Sequence, residues 1–193
     1  ALFGPLAIRA ESCLLPPYHM ATRAAPSDGF FFNDAATTEI YTFNAPANVA
    51  IIRDFVAGVV GVGAIPLGIG GDHTITYPIL QALAARHGTL GIVHVDAHAD
   101  VNDTMFGERI NHGSWLRRAI EDSIVDPART VQIGVRGSGY SAEDFDWLAS
   151  VGGRVVPVEE CWHRSLTPLM AEARAQLGNG PTYLTFDIDG LDP

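Results

Sequence analysis

Several absences narrow what this chain can be. It has two cysteines in 193 residues, Cys13 and Cys161, too few for a disulfide framework, and a chain of this size needs none. No apolar run of about 20 residues and no secretory leader is present, so a soluble cytoplasmic protein without a membrane partner is expected. Positive charge is scarce: 12 Lys and Arg stand against 22 Asp and Glu, a formal net charge of −10. That balance argues against nucleic acid or an anionic membrane as partner and suits a cationic ligand or metal ions. The glycine-rich GVVGVGAIPLGIGG (58–71) lacks both a Walker lysine and a G-x-G-x-x-G between strand and helix, which excludes the usual nucleotide loops. No G-x-S-x-G and no paired Cys/His nucleophile arrangement occurs.

What remains is an ordinary globular composition, 47% hydrophobic and 18% charged, long enough for a sizeable core. Short apolar runs alternate with segments of helical period. AIPLGI (64–69), GIVHVDA (91–97), TVQIGV (130–135), RVVPV (154–158) and TYLTFDI (182–188) read as strands. TYPILQALAARHG (76–88), with Gly88 as C-terminal cap, WLRRAIED (115–122), SAEDFDWLAS (141–150) and LTPLMAEARAQL (166–177) read as helices. Ser141 with Asp144 three residues later has the form of a capping box. Strand and helix in alternation predict βαβ units: an α/β fold with a doubly wound, mostly parallel sheet and helices on both faces, three layers in all. Such sheets bind ligands at the carboxyl ends of their strands. The first 45 residues are less regular, with an edge strand expected in GFFFNDAATTEIYTF (29–43).

Three predicted strands end in groups that are costly to bury. GIGGDHT supplies Asp72 and His73, DAHAD supplies Asp96, His98 and Asp100, and FDIDGLDP supplies Asp187, Asp189 and Asp192. In a parallel sheet these ends share one edge, and strand alternation aligns Asp96 with His98 and Asp187 with Asp189. Converging carboxylates repel one another unless cations compensate. Carboxylate and imidazole without thiolate suit Mn²⁺ best, with Fe²⁺ or Zn²⁺ as alternatives. The donor set exceeds one tetrahedral zinc and fits two ions sharing carboxylates, a pair that lowers the pKa of a water held between them. His112, in the polar loop INHGSW, is a candidate proton carrier. His94 shares parity with Asp96 but lies deeper and reads as packed core. His19, His87 and His163 read as surface or loop residues.

With GGDHTITYPIL, VHVDAHAD, NHGSWLRRAI, VQIGVRG and FDIDGLDP in this order, the chain resembles the ureohydrolases of the arginase and agmatinase family over nearly its whole length. PYHMATRAAP, ADVNDTMFGERINHG, GYSAEDFDW and EECWHRSLTPLMAEAR resemble the agmatinase-like branch, its guanidinobutyrases most of all. The resemblance implies two Mn²⁺ ions: one held by His73 and Asp100, the other by His98 and Asp189, with Asp96 and Asp187 bridging. Asp100 and His112 take catalytic roles by the same resemblance. The same resemblance implies that Asn102 and Met105, in a loop with Glu108, line the substrate pocket.

The implied reaction is hydrolysis of a linear guanidino compound to urea and an amine. 4-Guanidinobutyrate is the expected substrate and agmatine the alternative, with 3-guanidinopropionate or a non-catalytic homologue behind them. A single-ion deacetylase on a related fold is disfavoured by the retention of His73, Asp100 and Asp187. A homo-oligomer is expected by resemblance. The chain starts at Ala1 and stops in DGLDP. It reads as one ureohydrolase domain over 1–193 without the family's first strand, its C-terminal third, or the Glu that grips the guanidinium there.

Overall fold

A computed structural model describes residues 30–33, 45–70, 72–105, 107–136 and 143–191. The elements in chain order are β1 (Phe30–Asn33), α1 (Ala45–Gly61), β2 (Leu67–Gly70), α2 (Thr76–His87), β3 (Leu90–Val95), α3 (Trp115–Glu121), β4 (Val125–Val135), α4 (Glu143–Ser150), β5 (Arg154–Pro157), α5 (Thr167–Leu177) and β6 (Thr182–Phe186). Short 3₁₀ turns follow β2, β5 and β6. Ser141, Asp192, His19 and Cys13 lie outside the described residues.

All the described strand pairs are parallel. Four strands form one sheet in the order β5-β4-β3-β6, and β1 pairs with β2 in a second sheet. This is the α/β architecture expected from the alternation of apolar runs and helical segments. It holds because a parallel connection needs a crossover, here a helix each time in the four-stranded sheet.

The two faces of β3 bury against different helices, as strand alternation requires. Ile92 belongs to a core with Tyr77 and Leu80 of α2, Trp115, Leu116 and Ala119 of α3, and Leu148 of α4. Val93 and Val95 point the other way, toward Val131, Ile133, Val156 and Ala173 of α5. The sheet is therefore the middle of three layers.

Helix α1 has no counterpart among the sequence-derived elements. Gly58 and Gly61 in its last turn, and the glycines beyond, mask a good apolar stripe. Ile52, Val56 and Val60 recur every four residues and bury against Ile75, Ile79 and Ala82. Two strands differ from expectation in extent: β2 is shifted to Leu67–Gly70, and β4 begins at Val125, ahead of the apolar run. No helix among the described residues is long and apolar enough to cross a membrane.

Candidate metal centre

The site is assembled at the carboxyl ends of β2, β3 and β6. Register does much of it: Val95 pairs with Phe186 across β3 and β6, so the next residues, Asp96 and Asp187, emerge side by side. The Asp187 amide donates to the Val95 carbonyl at 2.9 Å and the Asp96 amide to the Ile133 carbonyl at 3.1 Å, pinning both backbones. Gly134 sits opposite with φ +97, and a Cβ there would meet the Asp96 carbonyl at 3.3 Å. Both the backbone conformation and the close approach favour glycine.

Strand alternation does not align Asp96 with His98, contrary to expectation. β3 ends at Val95, and the chain turns at Asp96, whose Oδ1 accepts the His98 amide at 2.7 Å. Asp189 likewise lies in a 3₁₀ turn after β6, not on the strand. Turns rather than pleats bring the groups together. Asp100 has φ +53, a left-handed conformation that costs a non-glycine residue of order 1–3 kcal/mol, least for Asp and Asn. The fold holds a strained carboxylate in place here.

Six sequence-predicted ligands converge in two groups. His73 Nδ1 lies 2.9 Å from Asp100 Oδ2, 3.2 Å from Asp96 Oδ2 and 3.6 Å from Asp187 Oδ2. His98 Nδ1 lies 3.0 Å from Asp189 Oδ2 and 3.4 Å from Asp96 Oδ1. Asp96 thus belongs to both groups, one oxygen facing each. In the first group Asp96 and Asp100 are buried and His73 nearly so, while Asp187 is 34% exposed and the His98 side chain of the second group 51% exposed.

The surrounding side chains orient these donors. Asp72 caps the turn carrying His73, accepting the Thr74 amide at 2.7 Å. Thr185 on β6 takes the other ring nitrogen of His73, Nε2, at 2.9 Å. Trp115, fully buried, donates its indole N–H to Asp100 Oδ2 at 2.7 Å. Its ring also lies 4.8 Å from that of His73. Arg136 donates to the Asp189 carbonyl at 2.5 Å. Neither Trp115 nor Thr185 stood out in the sequence. Gln132 did carry a signal, as an amide inside an otherwise apolar strand must find buried partners.

The donor set fits divalent ions. His73 Nδ1 is buried and, despite its short approaches to three carboxylates, has no aligned hydrogen bond. A buried imidazole nitrogen facing carboxylate oxygens of Asp96, Asp100 and Asp187 is an arrangement able to hold a divalent ion. Without ions the cluster must be balanced by protons. Burial opposes a charge on His73, but Asp100 and Asp96 outweigh it and hold its pKa up at about 10. Burial likewise works against ionisation of Asp96, yet His73 and His94 keep it well below the usual carboxylate range. Asp189 is pushed up by burial and by the charges of Asp96 and Asp187. Asp96, Asp100, Asp187 and Asp189 together carry a formal charge that two divalent ions would match.

Other predicted residues lie apart from this cluster. His112 is half-exposed in the turn before α3, its Nδ1 3.9 Å from Asp72 Oδ2. Asn102 and Met105 are buried. The Asn102 amide is committed to Asp144 Oδ2 at 2.7 Å, and Met105 packs against Gly113, where a Cβ would come within 2.8 Å of its Cε. His87 and His163 are exposed, as expected. His94 is buried, but it is bonded to Asp96 rather than simply packed.

The Arginase family model matches residues 1–193. The chain belongs to the arginase family. It is 56% identical over 191 residues to a guanidinobutyrase of Pseudomonas aeruginosa, covering 99% of this chain and 60% of that protein. It is 49% identical over 193 residues to a mitochondrial agmatinase of Gallus gallus, covering all of this chain and 57% of the relative. Among solved structures, proclavaminate amidino hydrolase from Streptomyces clavuligerus superposes with a TM-score of 0.75 at 31% identity, covering 97% of this chain and 62% of that one. The chain therefore spans about three-fifths of the length of these arginase-family relatives.

Proposed function

We propose that this protein hydrolyses a linear guanidino compound to urea and an amine, with 4-guanidinobutyrate as substrate and two Mn²⁺ ions as cofactor. The observation that supports this most is the pair of ligand groups sharing Asp96. His73 and Asp100 would hold one ion, His98 and Asp189 the other, and Asp96 and Asp187 would be shared. Bound there, the pair supplies Lewis acidity and a water acidified enough to act as nucleophile near neutral pH. Oxygen and nitrogen donors without thiolate favour Mn²⁺ over softer metals. A homo-oligomer is the expected assembly.

The chain's own residues do the rest. Asp100, held by the Trp115 N–H, presents its carboxylate to orient the attacking water. The buried His73, Asp96 and Asp100 keep bulk solvent from one side of the reacting centre. His112, half-exposed in its turn, carries a proton to the departing amine. Asn102 and Met105 shape the neighbouring loop, through which they act on the substrate's far end.

The choice of 4-guanidinobutyrate follows the 56% identity to a protein named guanidinobutyrase, against 49% to one named agmatinase. The metal centre meets the guanidinium end that both substrates share, so selection rests on groups meeting the carboxylate or ammonium end. Urea release from 4-guanidinobutyrate, agmatine, arginine and 3-guanidinopropionate by the Mn²⁺-loaded protein tests the proposal. A preference for 4-guanidinobutyrate is expected. A preference for agmatine would overturn the substrate, and no urea from any of them would overturn the reaction.

A further inference from the structure

His94 is fully buried between β3 and its neighbours, and both of its ring nitrogens are engaged. Nε2 lies 2.8 Å from Asp96 Oδ2, and Nδ1 lies 2.9 Å from Nε2 of Gln132. The same Gln132 nitrogen lies 2.5 Å from the Ala99 carbonyl oxygen. These contacts fix the direction of every proton. A carbonyl oxygen only accepts, so the Gln132 atom facing Ala99 must be the amide nitrogen, and the amide cannot be turned over. That nitrogen only donates, so His94 Nδ1 accepts and the ring proton sits on Nε2, aimed at Asp96. Gln132 Oε1 is left buried without a partner, so the amide is placed for its two N–H contacts and not for its oxygen.

We infer that His94, oriented by Gln132, is a positioning residue that sets the rotation of the Asp96 carboxylate across the two halves of the metal centre, and is not itself a ligand. The inference rests on the two-ion reading above. Asp96 Oδ2 receives the His94 proton and faces His73 Nδ1 at 3.2 Å. Asp96 Oδ1 receives the His98 amide proton at 2.7 Å and faces His98 Nδ1 at 3.4 Å. With a donor behind each oxygen, one is held toward the His73 and Asp100 group and the other toward the His98 and Asp189 group. Asp96 is 1% exposed, so water cannot replace a lost donor. Trp115, whose ring centroid is 5.1 Å from that of His94, packs edge-on against the imidazole and keeps it from tilting. A histidine whose Nε2 carries the proton offers that nitrogen no lone pair for a metal, although its ring lies within reach of the cluster.

The test uses the full-length protein, titrated with Mn²⁺ by calorimetry and read by electron paramagnetic resonance for the coupled ion pair. His94→Phe keeps the ring volume and removes the donor. His94→Gln restores an N–H near the Nε2 position, and Gln132→Leu releases the imidazole. His94→Phe is expected to bind the ion pair about 10–100-fold more weakly, as loss of an outer hydrogen bond to a ligand does, with an altered coupled signal. His94→Gln should recover most of that loss, with Gln132→Leu in between. Affinity and signal equal to wild type in His94→Phe would make His94 a mere space-filler and overturn the inference. A His94→Gln protein as weak as His94→Phe would overturn it differently, since the imidazole itself would then be the ligand. If His94→Phe does not fold, Gln132→Leu decides: weakened binding supports the assignment and unchanged binding refutes it. A wild type that takes up fewer than two ions would overturn the two-ion reading on which the inference stands.

Discussion

Trp115 couples the hydrophobic core to the metal centre, and Trp115→Phe measures how tightly. The indole is fully buried against Tyr77, Leu80 and Leu116, and its N–H donates to Asp100 Oδ2 at 2.7 Å. Phenylalanine keeps most of the packing and loses the donor. A hydrogen bond to a charged acceptor contributes about 1.5–3 kcal/mol, and Asp100 is too buried for water to replace it fully. The smaller ring forfeits contacts equivalent to about one buried methylene, adding about 1 kcal/mol. The expected loss is therefore about 3 kcal/mol in the ion-free protein, a drop of roughly 6–12 °C in Tm for a chain of this size.

Saturating Mn²⁺ should widen the gap. A less firmly held Asp100 weakens ion binding about tenfold or more, about 1.4 kcal/mol for each factor of ten. Urea denaturation with and without Mn²⁺ reads both quantities. A loss below about 1 kcal/mol, or a gap that Mn²⁺ leaves unchanged, would refute the view that this tryptophan holds a metal-binding carboxylate.

Three further outcomes are expected. His98→Ala, at a half-exposed position, should change ion-free stability by no more than about 0.5 kcal/mol while removing one equivalent of bound Mn²⁺ in calorimetry; two equivalents would exclude His98 as a ligand. Gly113→Ala would place a Cβ 2.8 Å from Met105 Cε and 2.9 Å from Asn102 Oδ1, costing about 1–3 kcal/mol by overpacking in the denaturation midpoint, and a neutral result would mean that the loop beside His112 is loosely packed. Tyr77 donates its hydroxyl to Asp122, and burial together with that carboxylate pushes its pKa up to about 12. Because the folded-state value is raised, this contribution is complete below about pH 10 and lost as pH rises through about 12. Tyr77→Phe should flatten that part of the stability profile, and parallel profiles would contradict the assignment.

The sequence made the donors legible and left their arrangement obscure. Asp96, His98 and Asp100 follow the apolar run buried as β3, and Asp187 and Asp189 follow β6, whose Leu184 and Phe186 stay exposed; the two strands are parallel neighbours, so their charged ends lie on one edge of the sheet. His73 follows β2, which pairs with β1 in a separate two-stranded sheet, so a single shared sheet edge does not account for its place in the site. What brings them into contact was not legible, because it depends on register between strands far apart in the chain: Val95 beside Phe186, and Gly134 beside Asp96. The left-handed Asp100 has no local sequence mark, since nothing about an Ala-Asp-Val triplet requires it. His94 reads as packed core and is fully buried, but alternation reports which face a residue takes and not the Asp96 and Gln132 partners that meet it there. Helix α1 is hard to see in the sequence because its glycines obscure the four-residue recurrence of Ile52, Val56 and Val60.

The measurement closest to the centre of this account is a crystal structure of the Mn²⁺-soaked protein with anomalous data collected at the manganese edge. Two peaks are predicted, one among His73, Asp100, Asp96 and Asp187, the other among His98, Asp189 and the same two shared carboxylates. A single peak, or one bonded to His94, would contradict the account.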